Sequence, residues 1–448
     1  MLGNRAIRIL FLIALCLSFL LVACNTASTT PPSRAKVKQV TPTATSTPIA
    51  TQLLTPLHPT TTLPVPPTQT ACPPSNAGRA MITAPLVLGT HPMIVYAHNI
   101  GTYDNPTSAE LLRYDVTTGQ TEKLLSVQKA SIYQTQISED HQWVLFTIVT
   151  GAKNRVTELQ MVRLDGQGLQ TLYCAPSYGI QHALWSPTEQ FIAFYNMVNN
   201  HGTIFVLNTT TGFVQTTLTM PHTIGAVIHT WQDPTHLILS DTATDTTFGY
   251  IYLLDVTQPN QQYSNLDITL QQQYGDFDSL TTSTGSQLII SYGGCNNSQC
   301  TGPSSIKEKA INSTIQHTIY NSNLYDVIQV RAINQHSLLF IIGNTDTGNA
   351  SSDTSQNGLW KINSDGNGLT RLLPTTPSEY SFFNYNTQGV GSNISQNGTM
   401  YALQINSFKP DGTQVNTLVY GSLNGGATKT FATTDDNSQL LLAGWTTM

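Results

Sequence analysis

Residues 183–212, ALWSPTEQFIAFYNMVNNHGTIFVLNTTTG, contain three short apolar runs separated by turn residues. Ala183-Leu184-Trp185 ends at Ser186-Pro187, Phe191-Ile192-Ala193-Phe194 follows, and Ile204-Phe205-Val206-Leu207 leads into Thr210-Thr211-Gly212. Runs this short, β-branched or aromatic and bounded by Pro, Asn, Thr and Gly, read as antiparallel strands. A fourth run, around Val214 to Leu218, makes a unit of four strands, here lettered a to d.

The unit recurs along the chain. Its second strand appears as Ile94-Val95-Tyr96, Val144-Leu145-Phe146, Ile192-Ala193-Phe194, Leu237-Ile238-Leu239, Leu288-Ile289-Ile290, Leu338-Leu339-Phe340 and Tyr401-Ala402-Leu403. A c–d hairpin follows each, around Thr117-Thr118-Gly119, Asp165-Gly166, Thr210-Thr211-Gly212, Gln258-Pro259-Asn260, Asn312, Asp365-Gly366 and Asn424-Gly425. No helical period of similar length interrupts them. Repeated four-stranded units that cannot bury their own faces predict an all-β, seven-bladed β-propeller over residues 76–448, with six or eight blades as the fallback.

Leu440 to Trp445 looks like a strand a without its own b, c and d, whereas the first unit enters at strand b near Met93. The expectation is that these two segments complete one blade, which removes two sheet edges. In the alternative, Leu86 to Leu88 supplies that strand.

Trp185-Ser186-Pro187 with the two runs after it resembles the repeat of TolB-type propellers, themselves WD-like in architecture. The resemblance departs from the pattern at Thr188-Glu189, where that family has Asp-Gly. It implies a fold and a role in protein contact, and carries no catalytic residue.

The N-terminus reads differently. Arg5 and Arg8 precede an apolar run, Ile9 to Leu20, too short for a comfortable membrane span. Leu21-Val22-Ala23-Cys24 resembles a bacterial lipobox, which implies a signal peptide over 1–23 and a lipid on Cys24. Residues 25–75 hold 11 of the 23 prolines, no glycine and no acidic residue. Such a segment forms no core, so 24–75 is expected to be a disordered or extended Pro/Thr-rich linker.

Only 10% of the 448 residues are charged, 19 basic and 25 acidic. No basic stripe exists for phosphates, which argues against a nucleic-acid partner. Gly-x-Ser-x-Gly, Walker and His-Glu-x-x-His patterns are absent. No cofactor is implied, and no His/Cys spacing points to a metal. The scattered histidines, His182 and His229 among them, read as hydrated residues of turns and strand ends.

Four cysteines remain after Cys16 and Cys24, an even number consistent with disulfides outside the cytoplasm. Of three pairings, Cys295–Cys300 with Cys72–Cys174 is favoured.

In an antiparallel blade the a–b and c–d turns share one face, and the b–c loops and d–a crossings share the other. The second set is longer, including 98–108, 405–416 and 374–389, so recognition is expected there. Tyr380, Phe382, Phe383 and Tyr385 form the densest aromatic group on it, with Tyr103 and Tyr178 as single candidates; the competing reading packs alternate members, such as Phe382, within a strand. The sequence thus predicts a membrane-anchored lipoprotein on the extracytoplasmic face of the cell membrane. Its propeller is a non-enzymatic module binding a protein, the alternative being a glycan-binding or glycan-active lyase or hydrolase.

Overall fold

The computed structural model describes residues 65–448 apart from 75–76, 103–104, 151–155, 177–178, 199–200, 220–224, 243–247, 259–262, 272–275, 283–284, 293–302, 345–352, 377–378, 384–392 and 437. Among the described residues, twenty-eight strands assemble into seven antiparallel sheets of four.

Six blades are contiguous in sequence. Blade 2 runs Ala130–Ile137, Trp143–Thr150, Val156–Arg163 and Gln170–Pro176; the strands of blades 3 to 7 begin and end at Gln181 and Thr219, Gly225 and Gln271, Asp276 and Ser322, Val327 and Pro374, and Glu379 and Thr434. Blade 1 is composite: Gln439–Thr447 is its strand a, beside Pro92–Thr102, Asn105–Asp115 and Thr121–Gln128. Leu86 to Leu88 forms no strand, so the ring is closed by the C-terminal segment.

Every expected second strand lies in a strand b, and the reason its apolar run is unbroken is burial on both sides. Val144, Leu145 and Phe146 are at most 1% exposed. Alternate side chains face opposite neighbours. The core is accordingly divided into seven apolar clusters, one at each seam between consecutive blades. The seam between blades 7 and 1 holds Leu418, Tyr420, Ile94, Tyr96 and Trp445, the last 1% exposed.

The a–b turns explain the Ser-Pro signal. Ser138, Ser186 and Ser395 each accept, on Oγ, the N–H five residues on, at 2.9, 3.1 and 2.9 Å. Three residues after each serine the backbone turns left-handed, at His141, Glu189 and Gly398. Glycine suits that position, and His141 and Glu189 hold it at φ +57°.

Two segments read as long loops are instead extended hairpins. Strands b and c of blade 1 reach Thr102 and Asn105 with a register shift at Ile100/Gly101, and those of blade 7 reach Phe408 and Gln414. Polar residues and Gly or Pro made these strand ends look like loop.

Residues 65–74 and 77–91, partly assigned to the linker by composition, form a strap across blades 2, 3 and 1. Gln69 pairs in parallel with the outer strand of blade 2, donating to Leu169 and accepting from Thr171. Arg79 Nη1 donates to the carbonyls of Gln69 and Thr171, Met81 N–H to Thr209 of blade 3, and Leu86 N–H to Gln142. Cys72 and Cys174 are bonded, with Cα atoms 5.8 Å apart, and fasten the strap to that outer strand.

Candidate functional site

Each strand a has one free edge facing the axis, so its backbone N–H groups need partners from elsewhere. Neighbouring blades supply them. Gln134 and Gln136 of blade 2 accept from the N–H groups of Ala183 and Trp185 in blade 3, both at 2.8 Å. Asp276 and Asp278 of blade 5 accept from Val330 and Ala332 of blade 6 at 3.0 and 2.8 Å. Gln329 of blade 6 accepts from Phe383 of blade 7 at 2.8 Å.

The same strands bring three kinds of ionisable side chain together, Arg, Asp and His. Arg331 is 6% exposed, with Nη1 2.7 Å from Asp276 and its guanidinium 5.2 Å from the Phe383 ring. Burial raises the Asp278 carboxyl above its ordinary range, although Arg331 and two backbone N–H groups pull the other way. His229 places Nε2 2.7 Å from Ser240 Oγ and lies 4.1 Å from the Phe277 ring. Burial, then His182 and Arg331, hold its pKa well below the usual value, and burial brings His182 down to about 4. His182, His229, Asp276 and Arg331 come from blades 3, 4, 5 and 6. The reading of His182 and His229 as hydrated residues is therefore corrected: both lie in inner strands, where desolvation keeps them neutral. The two carboxylates are engaged with backbone N–H groups and Arg331, an arrangement that ties blades together.

Where the inner strands meet the a–b turns, a cleft of about 250 Å³ opens between blades 2, 3, 4 and 5. Gln136, Glu139, Trp185, His229, Trp231 and Ser279 are among its walls. Beside it, Glu189 Oε1 accepts the Asp140 N–H at 2.8 Å. Burial, with the Asp140 charge adding to it, pushes the Glu189 carboxyl up to about 7.

The sequence candidates fall out as follows. Phe383 is 0% exposed in the seam between blades 6 and 7, so it leaves the proposed aromatic surface. Tyr380 and Phe382 belong to the inner strand Glu379–Phe382 of blade 7, so residues 379–382, expected to lie in a d–a crossing, are strand; this Tyr-Ser-Phe alternation is a strand signal. Their side chains, and Tyr103, Tyr178, Tyr385, Cys24, Cys295 and Cys300, lie outside the described residues. Glu158 lies close to the sulfurs of Cys72 and Cys174, which their mutual bond removes as metal ligands. Sequence reasoning missed the cleft and the inner-strand network. In blades 2 to 4 the available signal was a polar residue two or three places before a Trp or Ser at the end of strand a: Gln136 before Ser138, His182 before Trp185 and His229 before Trp231.

No family model and no curated protein matches the chain. Solved structures do. The β-propeller domain of the Trilobed protease from Pyrococcus furiosus is 8% identical, with 78% of this chain and 94% of that one covered, at TM-score 0.50. That domain is described as having an open Velcro topology, whereas here residues 439–447 close the first blade. An acylaminoacyl peptidase from Pyrococcus horikoshii is 9% identical over 76% of this chain, which spans half of the peptidase's length, at TM-score 0.50. TolB from Acinetobacter baumannii is 14% identical, with 62% of each chain covered, at TM-score 0.41. The two likenesses at TM-score 0.50 show the β-propeller fold and leave the chemistry open.

Proposed function

We propose that this chain is an extracytoplasmic, lipid-anchored propeller that acts as a non-enzymatic module for binding a protein. The observation that carries the reading is the engagement of Asp276 and Asp278: groups that a dispersed active site would use as acid or base instead accept the N–H groups of Val330 and Ala332. The Cys72–Cys174 bond fits an oxidising compartment, and the Leu21 to Cys24 motif supplies the anchor.

Recognition is assigned to the face bearing the b–c ends. Blades 7 and 1 are neighbours and carry the longest b and c strands, of 9 and 11 residues. Phe408, at one such tip, is 55% exposed. Rigid hairpins presenting an aromatic tip suit protein contact.

The test has two arms. Cys24→Ser moves the protein from the membrane to the soluble fraction if the lipid is its anchor. Cross-linking in envelope extract, followed by mass spectrometry, identifies a partner whose capture falls with Phe408→Ser and persists with Phe213→Ser on the opposite face. Turnover of envelope glycans or peptides by the purified chain would overturn the non-enzymatic reading.

A further inference from the structure

The cleft at the a–b turns lies on the face opposite the b–c hairpins. At about 250 Å³ it falls below the roughly 300–1,000 Å³ of pockets that enclose drug-sized ligands, so it suits one side chain or a very small molecule. Its walls are chemically one-sided. Glu139 is the only charged residue among them and is exposed, and no cationic side chain lines the cleft among the described residues. Asp140 adds negative charge beside it, its N–H donated to Glu189.

Behind the carboxylate stand two indoles and an imidazole. Trp185 and Trp231 are 3% and 7% exposed. His229, 3% exposed, gives Nε2 to its contact with Ser240, and its Nδ1 has no partner among the described residues. The hydroxyls of Thr230 and Ser279 approach each other at 3.5 Å.

We propose that this cleft receives an alkylammonium group of the kind a lysine side chain carries, seated between the Glu139 carboxylate and the hydroxyls of Thr230 and Ser279. An ammonium brings three N–H donors and no acceptor, which matches a carboxylate and two hydroxyls. Its methylenes find the indole walls. A neutral sugar would desolvate Glu139 without offering a countercharge.

Isothermal titration of the full chain with Nα-acetyl-L-lysine methylamide tests it. Binding is expected, weakening as salt rises, with the Nε-acetylated probe at least about tenfold weaker because its charge is gone. Glu139→Gln is expected to cost a similar factor without moving the melting temperature, since Glu139 is exposed. Ser279→Leu, which fills the cleft and keeps the carboxylate, abolishes binding. Equal affinity for the acetylated probe, binding of N-acetylglucosamine in place of the lysine probe, or no binding of either overturns the proposal. Should Ser279→Leu fail to fold, Glu139→Gln and the acetylated probe still decide it.

Discussion

Ile94 stands opposite Trp445 in blade 1, so the first and last strands of the propeller share one sheet. Trp445 also reaches across the seam to blade 7, its Nε1 donating to the Asn393 carbonyl at 3.3 Å. Trp445→Ala removes the largest buried side chain of that seam and should cost about 3–5 kcal/mol, read by urea denaturation. Deleting residues 439–448 should expand the particle in small-angle scattering, since blade 1 then lacks its inner strand. An unchanged radius and midpoint would show that the ring does not depend on this pairing.

The inner-strand contacts between blades predict an asymmetry between two substitutions. Gln134 is 6% exposed and is the acceptor for the Ala183 N–H. Gln134→Leu should cost about 1–3 kcal/mol, because the volume is kept but a buried donor is left without a partner. Gln134→Glu keeps an acceptor and should cost less if the carboxylate takes the same N–H. Chemical denaturation at pH 8 distinguishes them.

Stability should fall in mild acid. His182 titrates near 6.5 when unfolded and near 4 when folded, so its contribution is complete above pH 6.5 and is lost as pH falls from there to about 4. The slope is up to about 1.4 kcal/mol per pH unit for one such group. Glu189 acts in the opposite sense, its raised carboxyl binding a proton in the folded state between about pH 7 and its unfolded value. His182→Asn, which also tolerates the φ of +53° at this position, should flatten the decline; an unaltered pH profile would exclude His182 as its source.

Reduction, or the double change Cys72→Ser with Cys174→Ser, should lower stability by about 2–4 kcal/mol, the bond spanning 102 residues. The Thr171 amide, which donates to Gln69, should then exchange faster with solvent. Retained protection would mean that Arg79 and the backbone pairing hold the strap alone.

Strands b were legible because double burial demands unbroken apolar runs such as Val144-Leu145-Phe146. The closing role of Leu440 to Trp445 was legible too, since a strand a without successors has only blade 1 to join. Inner strands are short and partly polar. Nothing local separates Gln134, which grips the next blade's backbone, from an amide in water. His229 and Asp276 gain their meaning from residues about fifty or more positions away. Phe383 misled for a related reason: aromatic density in the sequence is the same whether the ring faces solvent or a seam.

The strap also determines how a pull on the chain is distributed. Tension applied upstream of Val65 meets the outer strand of blade 2 first, at Gln69, and then the covalent link from Cys72 to Cys174. Beyond that link the force is carried by blade 2 as a whole. Residues 77–91 and the pairing of Ile94 with Trp445, held by noncovalent contacts, come after that link along the chain, so tension entering from upstream meets a covalent bond before it meets them.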